Sequence, residues 1–388
     1  MRVTIIANGF QEDYTVNLIN ALADEEGLKV DFIGSDIYLN YPINRRIHYH
    51  NLRGSHDEKA GRIEKVKRIF RYYLRLLHFI RHTDSKVYHI QWLRFYFIDG
   101  ILLPTLLKLM GKIVIYTVHD VLPHSQETPK MRRLFKRIYR KMDHLVVHTG
   151  YIKLRLQNEF KIPENKISVV RHGVYSLQLS EDLTKESCRK AMELKEKDIV
   201  LLFFGYITQY KGLPLLIEAF NTLKPKHSNL KLLVAGKVSK DYQDSFEQIR
   251  AGISSNDIQI TTKYLEDTEV EQHYKAADMV VLPYLEASQS GVMFISYAYG
   301  KPVIAPNFGG FPYDIELGKT GLLFEKQNTA DLAAQIEKAI VLFCPPAPSP
   351  HEYITHFAKE NYSWRNSAMA LHKIYQSYLA KNQQQLNV

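Results

Sequence analysis

The sequence predicts an α/β protein made of two consecutive doubly wound halves facing a cleft. Three observations carry this. Short apolar or β-branched runs alternate with helix-length segments through the first half. The alternation pauses at a polar, helix-prone stretch, LSEDLTKESCRKAMELKEKD, and restarts at Ile199. The segment from Pro283 to Phe324 reads as a strand end, the polar loop EASQSG, a helix, a turn at Gly300-Lys301-Pro302, a strand from Val303 to Ala305, and the pair Gly309-Gly310. Such a unit belongs to a parallel sheet, where ligands bind at the carboxyl ends of strands.

In chain order, Val3 to Ala7 is the first strand, and Asn8-Gly9 opens a loop before a helix from Tyr14 to Ala23. Lys29 to Ile33 is the second strand; a basic helix then precedes Val87 to Ile90. An apolar helix near Leu102 to Leu109 leads to the strong strand Ile113 to Val118. A second basic helix and the strands Leu145 to His148 and Ile167 to Val170 complete the half. In the second half the strands are Ile199 to Phe204, Leu230 to Ala235 and Ile258 to Thr261, with helices Leu213 to Leu223, Tyr242 to Ala251 and Val270 to Ala277 between and after them. The region Met279 to Leu323 finishes the sheet, and the helix Thr329 to Phe343 stops at PPAPSP. The tail ENYSWRNSAMALHKIYQSYLAKNQQQ reads as one final amphipathic helix.

The bulk numbers agree. A chain of 388 residues, 45% hydrophobic and 24% charged, is ordinary globular material and long enough for two domains. Cys188 and Cys344 stand far apart, so neither a disulfide framework nor a thiolate metal site is expected. The opening MRVTIIANGF lacks the longer apolar core of a signal peptide, and no stretch is apolar enough to span a bilayer. The expected location is cytoplasmic, peripheral at the inner face of a membrane. The formal charge of +10 draws phosphates or anionic lipid. It is concentrated in KVKRIFRYYLRLLHFIR (Lys65 to Arg81) and KMRRLFKRIYRK (Lys130 to Lys141). Both suit a membrane interface; the competing reading is an apolar face packed on the sheet with a solvated basic face.

Several positions can carry chemistry. Gly205 ends a strand and Lys211-Gly212 opens a helix, which suits a diphosphate. The competing reading is a surface lysine in a loop, and no Walker A pattern is present. Glu286 follows a strand end and can accept hydrogen bonds from sugar or ribose hydroxyls. Ser290, Gly291 and Val292 open a helix whose N–H groups can meet phosphate; alternatively Ser288 or Ser290 caps that helix. His119 ends a central strand, and His89 with Trp92, His148 and His172 lie at similar strand ends. None has metal-ligand spacing, so no metal is expected. GxGxxG is absent after the first strand and no GxSxG elbow occurs, which removes support for a dehydrogenase or a hydrolase.

Together these segments resemble the GT-B glycosyltransferases, more narrowly the large retaining family of group 1/family 4 that includes bacterial mannosyl- and glucosyltransferases of polysaccharide assembly. The motifs are FFGYITQYKGLPLLIEAF, the donor-type segment from Ala276 to Phe324, TVHDVLPH, VVRHGVY and the tail around Trp364. The resemblance implies an N-terminal Rossmann-like acceptor domain over 1–178 and a Rossmann-like donor domain over 179–360. A C-terminal helix over 361–388 crosses back to the first domain.

It further implies hexose transfer, with retention, from a GDP- or UDP-sugar to a lipid-linked or glycan acceptor. Capsule or exopolysaccharide assembly is the setting. Neither cofactor, metal nor nucleic acid is expected. Lys211 would pair with the diphosphate and Glu286 would contact the donor sugar. Gly205, Ser290, Gly291 and Val292 would bind the donor, and His119 would face the reacting hexose. Asn8, Gly9, His89 and Trp92 fall on the acceptor side. Three departures stand out: Phe294 or Ile295 replaces the second glutamate of the family's pair, Tyr206 replaces an arginine, and the acceptor-side glycine loop is reduced to Asn8-Gly9. The alternative is a non-catalytic nucleotide-sugar-binding protein with a decayed donor site. A nucleotide-sugar epimerase is disfavoured by the contexts of Lys211 and Glu286.

Overall fold

The structure, a computed structural model, describes residues 1–7, 11–55, 57, 59–123, 127–174, 180, 182–253, 255–344 and 348–386. The chain divides into two compact units, Met1–Gly173 with Tyr362–Val388, and Val174–Asn361.

The first unit is built on a seven-stranded sheet: β1 (Arg2–Ile6), β2 (Lys29–Ile33), β3 (Ile47–His50), β4 (Val87–Ile90), β5 (Ile113–Val118), β6 (His144–Val147) and β7 (Ile167–Val169). Their order is β3-β2-β1-β4-β5-β6-β7, every pair parallel. The order reverses between β1 and β4, which opens a crevice beyond the carboxyl ends of those strands. Strand β5 shows why the sheet is covered on both faces. Val114, Tyr116 and Val118 pack with helices Arg62–His82, Pro129–Lys141 and Gly150–Phe160, while Ile113 and Ile115 pack with helices Glu12–Ala23 and Trp364–Leu386. A strand alternates its side chains, so an all-apolar run needs a partner layer on each side.

The closing helix belongs to this first unit. Ala368, Leu371 and Tyr375 are buried in its core, and burial of a side chain such as Leu371 stabilises by about 1.5–3 kcal/mol. Tyr378 donates to the Asp143 carbonyl over 2.9 Å.

The second unit has six parallel strands: β8 (Ile199–Phe204), β9 (Leu230–Ala235), β10 (Ile258–Thr261), β11 (Met279–Val281), β12 (Val303–Pro306) and β13 (Gly321–Phe324). Their order, β10-β9-β8-β11-β12-β13, reverses between β8 and β11. Helices Leu213–Leu223 and Thr329–Phe343 cover one face with Leu216, Phe220, Leu332 and Ile336.

The structure adds elements to those expected, among them the following three, and divides another. Strand β3 is an edge strand, IHYH, of only four residues, too short for its alternation to stand out. Helix Gly150–Phe160 starts on glycine, a poor helix former, and is secured by Thr149, whose hydroxyl accepts from the Ile152 N–H over 3.2 Å. Helix His351–Asn361 follows the proline-rich break. The tail is therefore not one helix from Glu360: the chain breaks after Asn361, and Ser363 caps a new helix by accepting from the Asn366 N–H over 3.1 Å. Among the described residues no helix is long and apolar enough to cross a membrane.

Candidate active site

In the second unit the loops after β8 and β11 are joined at the sheet's reversal point. Lys211 lies on a single 3-10 turn, Gln209–Lys211, and is 6% exposed. Its ammonium sits 5.4 Å from the centre of the Tyr284 ring. Burial lowers its pKa, and only Tyr210 works in the other direction; no carboxylate neutralises it among the described residues. A buried cation supported by little more than a ring face is costly without an anion. Gly205, with φ 103°, makes room for it: a Cβ there would fall 2.8 Å from the Lys211 Nζ and 3.1 Å from Val292 Cγ2. Lys211, Gly205 and Val292 are thus neighbours.

The helix Gly291–Ala298 begins beside them. Ser290 occupies its N-cap position but makes no cap hydrogen bond; its hydroxyl donates to the Tyr284 hydroxyl over 3.3 Å. Ser290 therefore does not cap the helix through its side chain; the Met293 N–H donates to the Ser290 carbonyl over 3.2 Å, and among the described residues the Gly291 and Val292 N–H groups have no side-chain acceptor, as an anion site requires. The other helix start offers less than expected. Pro214 has no N–H, and the Leu215 N–H donates to the Gly212 carbonyl over 3.0 Å. Glu286 is exposed, in the loop that the Leu285 N–H ties to the Tyr210 carbonyl over 2.7 Å. Phe294, where an acidic residue was sought, is 1% exposed and part of the helix's buried face. Tyr206 is exposed.

In the first unit, side chains from four strand ends gather around Tyr14. Its ring lies 5.0 Å from His119, 5.4 Å from His148, 5.0 Å from His172, 5.5 Å from Trp92 and 5.2 Å from Trp364. Trp92 stacks on His119 at 4.2 Å with an interplanar angle of 6°. Burial is the main cause that drives these imidazoles neutral: His148 is pushed down to about 4, His172 to about 3, and His119 well below the usual value, helped by its histidine neighbours. Among the described residues neither ring nitrogen of His119 has a hydrogen-bond partner; the Gln91 backbone raises its basicity slightly but falls short of hydrogen-bond geometry. A neutral imidazole with both nitrogens unused can serve one hydroxyl as acceptor and another as donor.

His89 does not join this group. It is fully buried, with Nδ1 2.6 Å from the Tyr375 hydroxyl and Nε2 2.7 Å from the Thr117 hydroxyl. Both nitrogens are occupied inside the sheet, so His89 is withdrawn from the acceptor side. Asn8 and Gly9 lie outside the described residues. Tyr14, Tyr284 and Trp364 were not foreseen as site residues. Nothing in a helix-borne Tyr14 marks it as a hub, whereas Tyr284 was legible as the residue flanking a strand end.

Two doubly wound units, each built on one parallel sheet, have the fold of the GT-B class. The family model described as glycosyl transferases group 1 matches residues 184–342, and that described as glycosyltransferase family 4 matches residues 11–175. The chain belongs to the group 1/family 4 glycosyltransferases.

It is 26% identical over 253 residues to a D-inositol 3-phosphate glycosyltransferase of Pseudarthrobacter chlorophenolicus, covering 62% of this chain and 60% of that protein. The alignments span 55% and 60% of the length of the first two curated relatives. Among solved structures, sucrose-phosphate synthase from Thermosynechococcus elongatus matches with TM-score 0.74 at 16% identity, covering 98% of this chain and 100% of that one. Anabaena HepE in complex with UDP and glucose matches with TM-score 0.74 at 13% identity, covering 97% and 100%.

Proposed function

We propose that this protein transfers a hexose from a GDP- or UDP-sugar to a lipid-linked or polysaccharide acceptor with retention of configuration. One observation carries the reading: Lys211 is buried without a carboxylate, next to the uncapped start of helix Gly291–Ala298. Both features suit the diphosphate of a donor and are hard to explain otherwise. The HepE complexes with UDP and UDP-glucose support a uridine nucleotide as the first to test.

In the proposed reaction the bond from the anomeric carbon to the phosphate oxygen breaks as the acceptor oxygen approaches the same face. The acceptor's proton passes to the departing phosphate. Lys211 and the helix N–H groups stabilise the charge that develops there, which assigns neutralisation to the chain rather than to a metal. Glu286 accepts hydrogen bonds from the donor sugar, and neutral His119 orients a sugar hydroxyl.

The test is a thermal-shift screen of the whole chain against UDP-, GDP- and ADP-sugars, since a ligand of the folded state raises apparent stability by mass action. A shift with one class, followed by sugar transfer, is expected. No shift with any of them would remove the donor reading. Phe294 in the place of an acidic residue favours the alternative of a binding protein without turnover. Binding with no release of nucleotide in the presence of any acceptor would establish that alternative.

The membrane part of the proposal rests on helix Arg62–His82. Tyr72, Leu76 and Ile80 pack inward, yet Ile63, Val66, Phe70 and Leu74 form a second, exposed apolar stripe, with Lys67 and Arg71 exposed alongside. An exposed apolar stripe edged by cations matches an anionic lipid surface. Helix Pro129–Lys141 differs: Phe135, Ile138 and Tyr139 are buried, and none of its large apolar side chains is exposed.

A further inference from the structure

Strand β2, KVDFI, holds a carboxylate in an otherwise apolar run. Asp31 is 2% exposed and faces helix Arg62–His82 across a cavity of about 710 Å³. An aspartate is rarely buried so deeply without partners. Its Oδ1 lies 3.2 Å from the Nε2 of His50 on β3, and its Oδ2 lies 3.3 Å from the Nε of Arg2. The Arg2 contact is an ion pair that falls short of hydrogen-bond geometry. Among the described residues neither Asp31 Oδ2 nor Arg2 Nε has a hydrogen-bond partner. A carboxylate oxygen accepts and does not donate, so Oδ2 calls for an N–H or O–H that the fold does not supply.

The cavity is polar at its floor and apolar on one side. Asp31, Arg2 and His50 form the floor. Leu52, Leu74 and Phe79 form the apolar side, with the Phe79 ring 4.7 Å from that of His50. Arg75 and His78, both exposed, stand at the mouth. Leu74 also ends the exposed stripe of Ile63, Val66 and Phe70 on the same helix. The cavity therefore lies where that stripe terminates, and its volume is of the size that small ligands fill.

We propose that this cavity takes the head group of an anionic phospholipid that bears free hydroxyls, phosphatidylglycerol being the form to test. The inference rests on the membrane reading of helix Arg62–His82 given above. Arg75 and His78 hold the phosphate, a guanidinium being well matched to its oxygens. Asp31 Oδ2 accepts from a glycerol hydroxyl. The acyl chains leave past Leu74 towards Phe70. Arg2 already balances the charge of Asp31, so the floor suits a neutral hydroxyl better than an ammonium head group. The stripe and its cations attract any anionic surface; the cavity selects among anionic lipids by head group.

The probes are dihexanoyl phosphatidylglycerol and dihexanoyl phosphatidylmethanol, which has the same charge and no hydroxyl. Both are titrated calorimetrically, as monomers, into the full chain. The native protein is expected to bind the glycerol lipid about tenfold more tightly. Asp31→Ala is expected to erase that preference. Arg75→Gln with His78→Gln changes only exposed side chains, so it keeps the fold where Asp31→Ala does not, and it is expected to weaken the glycerol lipid about tenfold. Equal affinities of the native protein for the two lipids, or an unchanged affinity for the glycerol lipid in the Arg75→Gln, His78→Gln protein, would overturn the site.

Vesicles separate this site from the membrane reading. Val66→Glu with Phe70→Glu is expected to lose phosphatidylglycerol vesicles and to keep the affinity for the monomer, because neither side chain lines the cavity. If the native protein binds no vesicles of phosphatidylcholine with phosphatidylmethanol or phosphatidylglycerol, the membrane reading fails while the monomer titration still decides the cavity. Equal binding to both kinds of vesicle beside equal monomer affinities would assign the helix to charge attraction alone and overturn the site.

Discussion

The carbonyl of Pro283 occupies the place a side chain on residue 212 would need: a Cβ on Gly212 would stand 2.0 Å from that oxygen. Gly212 also has φ 67°, a conformation that other residues adopt at a cost. This contact locks the turn bearing Lys211 to the loop bearing Glu286. Gly212→Ala is therefore expected to lower stability by at least about 2–3 kcal/mol and to abolish nucleotide binding. Urea unfolding and a nucleotide titration read the two effects; a stable Gly212→Ala protein that still binds would show that the two loops need not be coupled.

Lys211→Ala should separate affinity from stability. Removing a charge hydrogen-bonded to phosphate weakens a ligand by about tenfold to a hundredfold. The same change relieves a buried, unneutralised cation, so the melting temperature of the free protein should hold or rise. Full transfer activity in Lys211→Ala would refute the donor assignment.

Glu286 is exposed, and Glu286→Ala should leave unfolding within about 0.5 kcal/mol of the native protein. Loss of a group that contacts the reacting sugar is expected to slow turnover by about a hundredfold. Steady-state kinetics at saturating donor provide the check.

The buried imidazoles predict an acid sensitivity well above the carboxylate range. In the unfolded chain histidine titrates at 6.5, whereas in the folded first unit His144 and His148 fall to about 4 and His89 and His172 to about 3. Between those values the unfolded chain binds more protons. The stabilisation is thus complete above pH 6.5 and is lost as pH falls below it, by about 1.4 kcal/mol per pH unit for each such histidine. His148→Asn should flatten the profile by about one histidine's slope. Urea midpoints that do not change from pH 7 to 5 would show that these rings protonate freely in the fold.

For the exposed stripe, Val66→Glu with Phe70→Glu should release the protein from phosphatidylglycerol vesicles without altering its melting temperature, since both side chains are exposed. Vesicle sedimentation measures this, and unaltered binding would sink the membrane assignment.

The strands β2, β5, β8, β9 and β10 and helices Leu213–Leu223 and Thr329–Phe343 were legible to the residue, because each combines a clear apolar period with glycine, proline or polar punctuation. Edge strand β3 was not, since the alternation of Ile47, His48, Tyr49 and His50 runs over only four residues, too short a window to separate it from a loop. Lys211 and the helix start at Gly291 were legible as a motif. Their energetic peculiarity was not, because it depends on which carboxylates fail to approach. The competing capping role of Ser290 could not be decided from the sequence for a related reason: a serine before a helix ordinarily caps it, and only the fold reveals that its hydroxyl donates to Tyr284. His89 looked like its neighbours at strand ends until the distant Tyr375 was brought against it.

That partnership between His89 and Tyr375 joins residues 286 positions apart in a chain of 388. The second unit, Val174–Asn361, is an insertion between the two pieces of the first. During synthesis His89 in the seven-stranded sheet therefore waits for its partner until Tyr375 has been made. The inserted unit can fold meanwhile, being continuous. A nascent chain halted before Trp364 would carry a continuous second unit attached to an unfinished sheet, so that helix Trp364–Leu386 acts as the latch that closes the first unit.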